Sequence, residues 1–366
     1  MVKNSNINDV LVIGAGAIGG ITAAILSKGG IDVQVLTRKG PHFDAIKKNG
    51  LIIEGHQEIY HFPVYSNIKD IKNKFNHILV AVKNTSTEDV AKQLKNVLLP
   101  TTLVYSLQNG FGNTDILAKY LPKEQIVAGV VGWGATYLGN GWLRITSSTG
   151  DFILGFENGR NKDDQRLLDI KKKLDLWKET ILTNNILGYR WAKLIVNSVI
   201  APFGGLLGET VGNMLGNPEI SPLMGALKNE GIQVADANNI ILENVDGLNI
   251  RNFFYKPKPE DGFFTKVSRS LMSTIIAKAG AKRHGKIYPS LLVDLQRGLK
   301  TEIDFLNGYI ERKGKESNLE TPINSFLVKA IKEIENGKRK IGMENLGELK
   351  QVAEYSRKKI EEQEKR

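Results

Sequence analysis

Apolar residues in the first half of the chain gather in short runs: Val10–Ile13, Ile31–Leu36, His77–Val82, Thr102–Leu107 and Ile126–Gly132. Each is too short for a helix and suits a strand buried on both faces of a parallel sheet. Between them stand segments with helical spacing, at Ala17 to about Lys28, Thr87–Leu98 and Thr114–Tyr120, and Pro100 reads as the stop after the second. Strand and helix in alternation predict a doubly wound α/β domain. Gly50–Val64 adds two short strands around a turn at Gly55. Past Gly134 the pattern changes: Gly139-Asn140-Gly141 and Gly150 separate short strand-like pieces, the third being Asp151–Phe156, in the manner of antiparallel hairpins. A helix over Asp163–Leu176 and a strand at Thr180–Thr183 close this half.

From Asn185 onward the strand signal fades and helical spacing takes over. Helices are predicted over Ile186–Ile200, ended by Pro202, and over Pro218–Asn238, Thr265–Ala279 and Thr321–Glu335. Ser290–Gly308 reads as one long helix, on which Ser290, Asp294, Gly298 and Glu302 recur every four residues as a polar stripe. Gly298 would leave room for something to approach that stripe. Phe253–Phe264, with two prolines, reads as a packed surface loop, with a lid as the alternative, and the tail after Lys338 as a solvated helix. Two domains follow, 1–183 with a Rossmann-type sheet and 184–366 all-helical.

The first candidate chemistry sits where the first strand ends. Gly14-x-Gly16-x-x-Gly19 joins that strand to the first helix. Such a turn binds a dinucleotide: Gly14 permits the tight turn, Gly16 lets a pyrophosphate approach the backbone, and Gly19 lets the helix pack against its strand. The helix N-terminus then offers N–H groups to the phosphates. Gly14, Ala15, Gly16, Ala17, Ile18 and Gly19 are therefore candidate cofactor-binding residues. The second strand ends at Thr37-Arg38-Lys39, without the acid that would hold a ribose 2′-hydroxyl. A cation there accommodates a 2′-phosphate, so Arg38 predicts NADP(H) rather than NAD(H). Lys83 and Gln108-Asn109 follow two further strands, which places all four stretches on the carboxyl edge where open α/β sheets bind ligands.

Composition narrows the picture. With 366 residues the chain has length enough for two cores. No apolar run reaches membrane-spanning length, and the N-terminus lacks a signal-peptide core, so a cytoplasmic protein without a membrane role is expected. The absence of Cys removes disulfides and thiolate chemistry, and the five scattered His predict no metal site. The net charge of +11 comes from Lys on helical polar faces without aromatic interleaving. It suits anionic small ligands and gives no reason to expect nucleic acid.

Taken together, GAGAIGG, Arg38, AVK at Ala81–Lys83, QNGFGN at Gln108–Asn113, WAKLIVNSVIAP at Trp191–Pro202 and PSLLVDLQRGLKTEIDFLNG at Pro289–Gly308 resemble the ketopantoate reductase (2-dehydropantoate 2-reductase) family over most of the chain. The resemblance implies NADPH-dependent reduction of 2-dehydropantoate to pantoate for coenzyme A synthesis. It implies Lys193 as general acid, Glu302 as the partner of a substrate hydroxyl, and Ser290 and Asn197 as substrate-positioning residues. It implies that Asn109 orients nicotinamide and substrate, and that Lys83 lies near the cofactor. The chemistry of the residues agrees. An ammonium can stabilise the charge that builds on a carbonyl oxygen during hydride transfer and can donate the proton. Lys193 and Asn197 are four apart and share a helix face. Two departures stand out: Ala201 replaces a second substrate-facing Asn, and the stretch containing Phe253–Phe264 is longer than in compact members. They leave open another branched 2-oxo acid as substrate. A non-catalytic NADP sensor is the remaining alternative, and it has no need of Lys193 with Glu302. The quaternary state is left open, with a homodimer as one option.

Overall fold

The structure, a computed structural model, describes residues 7–159, 162–245, 247, 249–253 and 285–363. It divides into two compact units, Met1–Ile186 and Leu187–Arg366.

The first unit is built on an eight-stranded sheet ordered β12-β11-β8-β7-β6-β1-β2-β5. Its strands are β1 (Ile7–Ile13), β2 (Val33–Leu36), β5 (Val64–Tyr65), β6 (Lys74–Val80), β7 (Leu98–Ser106), β8 (Ile126–Val131), β11 (Phe152–Gly155) and β12 (Thr180–Leu182). All neighbours pair in parallel except β8 and β11. Both faces are covered, which is why these strands read as apolar runs. Val10 and Val12 point into a core shared with α1 (Ala17–Lys28) and α5 (Gln165–Leu174). Leu11 and Ile13 point into the opposite core, with Ala91 of α3 (Thr87–Gln93) and Leu117 of α4 (Asn113–Ala118). The chain crosses from β2 and β5 on one side of β1 to β6 and β7 on the other, so β1 marks the topological switch point.

Three local expectations need correction. Pro100 does not stop a helix but lies within β7, exposed, where the β6–β7 register shifts between Phe75 and His77. A bulge asks for no ladder N–H, so proline is tolerated there. The helix before it ends earlier, at Gln93, with a 3-10 turn over Leu94–Asn96. Of the three glycine-spaced pieces, β9 (Gly134–Gly139) and β10 (Trp142–Ser147) form the hairpin, but the third, β11, leaves it and joins the large sheet. The hairpin instead extends β3 (Leu51–Ile53) and β4 (Ile59–Tyr60) into a separate sheet, β4-β3-β10-β9. Leu51, Ile53 and Leu143 carry that sheet onto the α1 core.

The second unit is helical in its described residues. It comprises α6 (Ile186–Leu207), which begins at the boundary, α7 (Val211–Gly216), α8 (Ser221–Ala237), α9 (Ser290–Gln296), α10 (Asn307–Glu316), α11 (Pro322–Glu335) and α12 (Leu346–Gln363). Pro202 does not end α6; the helix runs through it to Leu207. Helices α6 and α8 approach closely at Gly231, where a Cβ would come within 2.9 Å of Ile195. Buried Glu230 of α8 accepts from the backbone N–H groups of Ile323 and Asn324 and so caps α11, whose own Thr321 makes no side-chain cap. Ser356 of α12 donates to the same carboxylate at 2.6 Å, and Leu349 is fully buried, so the tail helix is packed rather than merely solvated. The predicted helix Thr265–Ala279 and all of the Phe253–Phe264 loop except Phe253 lie outside the described residues. Among the described residues no helix is long and apolar enough to cross a membrane.

Candidate functional site

Leu36, Ile13, Val80 and Ser106 are register partners in one row across β2, β1, β6 and β7. The chain leaves all four strands at the same level. Arg38, the glycine loop, Lys83 and Asn109 therefore share one sheet edge.

The glycine loop is shaped by close contacts. Gly14 has φ +102°, and its N–H donates to the Leu36 carbonyl at 2.8 Å. A Cβ at Gly19 would lie 2.0 Å from the Gly14 carbonyl oxygen, so the start of α1 lies directly on the loop. At Gly16 a Cβ would meet nothing within 4 Å. Gly16 is the N-cap of α1, no side chain caps the helix, and no acid stands in its first turn. Those features fit a dinucleotide pyrophosphate: open backbone, helix N–H groups and the positive dipole end in one place. Ala15 is buried, while Ala17 and Ile18 are half-buried in the first turn.

Two supports escaped the sequence. His42 of α2 (Pro41–Asn49) reaches Ala15 O through Nε2 at 2.7 Å, and its Nδ1 accepts from the Gly141 N–H at 2.9 Å. The ring therefore carries its proton on Nε2 and ties the loop to the β9–β10 turn. No spacing rule flags a lone His at a helix start. The second support is a buried polar network beneath Lys83 and Asn109. Gln108 Nε2 donates to Thr87 Oγ1 at 2.7 Å and to the Val82 carbonyl at 3.0 Å. Thr87 donates to Asn113, whose amide donates to Asn84 Oδ1 at 3.0 Å. Asn84 in turn holds the Asn109 carbonyl at 2.9 Å. Asn84, Thr87 and Asn113 are buried, so the network is rigid, while Lys83 and Asn109 are exposed above it. The QNGFGN segment signalled this polar cluster by composition; its partners Asn84 and Thr87 came from another strand end.

In the helical unit, Lys193 and Asn197 lie one turn apart on α6, both half-buried. The long polar stripe does not exist. Helix α9 stops at Gln296, and Gly298 adopts φ +66°. The Leu299 N–H returns to Asp294 O and the Gly298 N–H to Leu295 O, both at 3.0 Å, which makes a Schellman turn. Gly298 thus serves the backbone, not an approaching ligand. Ser290 is exposed in the first turn of α9, Asp294 is buried, and half-buried Glu302 stands in a separate turn just before the 3-10 segment Ile303–Phe305. The stripe failed because a period of four continues on paper through a glycine that ends the helix. Among the described residues no group of three or more His, Asp or Glu could hold a metal ion.

Comparison with known proteins agrees with this architecture. Residues 10–159 match the family model "Ketopantoate reductase PanE/ApbA" and residues 185–335 its C-terminal counterpart. The 2-dehydropantoate 2-reductase of Pyrococcus horikoshii is 30% identical over 324 residues, covering 88% of this chain and 96% of that protein. That of Archaeoglobus fulgidus is 28% identical over 331 residues, covering 90% and 98%. Among solved structures, a PanE/ApbA family ketopantoate reductase from Ralstonia eutropha matches with a TM-score of 0.73 at 24% identity, over 90% of this chain and 99% of that one. D-mandelate dehydrogenase, solved with NADH and anilino(oxo)acetate, also reaches 0.73, at 22% identity over 90% and 99%. At such identities the structures speak for the fold. The two family matches together span most of the chain, which belongs to the ketopantoate reductase family. That family is one of oxidoreductases. Helix α12 lies beyond the matched residues.

Proposed function

We propose that the protein reduces 2-dehydropantoate to pantoate with NADPH. The observation that carries this reading is the family match across both units, with Lys193, Asn197 and Glu302 in the matched second half. The bound cofactor would supply the hydride. In this reading the open backbone at Gly16 and the uncapped start of α1 take the pyrophosphate, and Arg38 takes the ribose 2′-phosphate. Asn109, held from below by Asn84, orients the nicotinamide end, with Lys83 beside it. Lys193 faces the substrate carbonyl, stabilises its growing negative charge and gives it a proton. Asn197 and Ser290 position the substrate, and Glu302 accepts from its hydroxyl.

Ala201, buried where a second substrate-facing Asn would stand, favours a second reading: another branched 2-oxo acid with the same chemistry. NADPH oxidation against a panel of 2-oxo acids separates the two. Glu302 demands a substrate hydroxyl, because a site built for one rejects an analogue lacking it by a large factor. Ketopantoate should therefore exceed 2-oxoisovalerate in kcat/KM, and Glu302→Ala should narrow the gap. Equal turnover of both by the native protein would reject ketopantoate as the substrate.

A further inference from the structure

We propose that Asn307 is a positioning residue that holds the stretch of α6 where Pro202 removes a ladder donor, and with it Lys193 and Asn197, in register with the turn that bears Glu302. The starting point is Pro202 inside α6. A proline has no N–H, so the carbonyl four residues earlier, that of Ser198, loses its helical donor. Ser198 directly follows Asn197. Its carbonyl is not abandoned: Asn307 Nδ2 donates to it at 3.0 Å. Asn307 is fully buried and opens α10, five residues past Glu302.

The second N–H of the same amide donates to Asn324 Oδ1 at 3.0 Å. Asn324 in turn donates through Nδ2 to Glu230 at 2.8 Å. Chemistry sets the direction of every link. The Ser198 carbonyl at one end can only accept, and at the other end the Glu230 oxygen that faces Asn324 Nδ2 also accepts from the Asn324 backbone N–H, so both amides are held in a single orientation. Asn324 is fully buried and Glu230 nearly so. Asn307 Oδ1 is buried and finds no partner among the described residues, but turning the amide over would set that oxygen against the Ser198 carbonyl and Asn324 Oδ1, so the orientation shown leaves the fewest groups unpaired. The chain thus runs from the backbone beside Asn197, through the residue that follows the Glu302 turn, to the carboxylate that caps α11. Elements far apart in sequence are set by one side chain.

This inference rests on the roles proposed for Lys193, Asn197 and Glu302, and a double-mutant cycle tests it. Asn307→Leu keeps the volume and removes both donors. Pro202→Ala restores an N–H that can serve the Ser198 carbonyl. Asn307→Leu should lower kcat/KM for ketopantoate roughly 10–100-fold, the loss that follows when the Ser198 carbonyl beside Asn197 is left without its donor. The Kd for NADPH, measured by fluorescence titration, should stay within about twofold. In the Pro202→Ala background the same substitution should cost at most about threefold. Equal costs in the two backgrounds overturn the proposal. So does a lowered Tm with unchanged kcat/KM per folded molecule, which is what a merely structural Asn would give. If Asn307→Leu does not fold, Asn307→Ser is carried through the same cycle. A native protein that reduces no 2-oxo acid defeats the functional reading and not this one. Hydrogen exchange of the Trp191–Pro202 stretch then decides. Faster exchange in Asn307→Ser, suppressed by Pro202→Ala, supports the brace, and unchanged exchange overturns it.

Discussion

Two glycines of the loop, Gly19 and Gly16, should fail in different ways when a methyl group is added. At Gly19 the new Cβ would lie 2.0 Å from the Gly14 carbonyl oxygen and 3.0 Å from Ala81 Cβ. Carbon and oxygen approach comfortably to about 3.3 Å, so strand and helix must part by roughly 1.3 Å. The obstacle is backbone, which cannot rotate away. The cost belongs at the top of the usual overpacking range, about 3 kcal/mol. For a unit of the size of Met1–Ile186 that is a fall in Tm of roughly 6–12 °C. Gly16→Ala should behave otherwise. Its methyl meets nothing within 4 Å, so the free protein should melt within about 1 °C of the native one. The methyl would nevertheless occupy the path of the pyrophosphate, and the Kd for NADPH should rise at least about tenfold. Differential scanning calorimetry without ligand and fluorescence titration with NADPH measure the two effects. A Gly19→Ala protein with native Tm, or a Gly16→Ala protein with native affinity, would falsify this account of the loop.

Lys193→Ala should lower kcat by roughly 10²–10⁴-fold, the range for loss of a general acid, and leave NADPH binding unchanged; full kcat in a folded variant rules the role out. Arg38→Ala should raise KM for NADPH by roughly 10–100-fold, matching a charge-assisted contact of about 1.5–3 kcal/mol, while KM for NADH hardly moves. An equal rise for both cofactors would show that Arg38 does not read the 2′-phosphate. Lys228 is 3% exposed and donates to the Phe253 carbonyl at 2.7 Å. Burial, with Arg251 as a lesser cause, pulls its ammonium from 10.5 down to about 8. Between those values the unfolded chain holds a proton that the folded chain releases. Stability of the helical unit should therefore rise with pH across that window, by up to about 3 kcal/mol, with no contribution to the slope below it. Lys228→Met should remove the rise; denaturant midpoints that follow the same pH dependence in the native protein and in the variant would refute this assignment.

Much of the first unit was legible because its chemistry is local. A strand buried on both faces must be a continuous apolar run, and a turn that meets a phosphate must be glycine, so β1, the loop and α1 could be read from one short stretch. Arg38, Lys83 and Asn109 could be read as ends of such runs. That these ends form one edge follows from the parallel pairing of β2, β1, β6 and β7, in which every strand points the same way. Lys193 and Asn197 share a face because helical spacing is itself a sequence property.

What the tertiary structure decided are the places where a distant partner overrides a local signal. Pro202 reads as a stop, and the helix continues because Asn307, far along the chain, satisfies the carbonyl that proline leaves bare. Pro100 reads as a stop and sits in a strand, because the bulge opposite Phe75 and His77 needs no donor from it. The stripe from Ser290 to Glu302 kept its period past Gly298, but a Schellman turn breaks the helix there. His42, Asn84 and Thr87 carry no pattern of their own; each matters only for the backbone or amide that the fold brings to it. A periodicity reports which residues want to be buried, whereas the partner of a buried polar group is chosen by the whole chain, and that choice is made only when the chain folds.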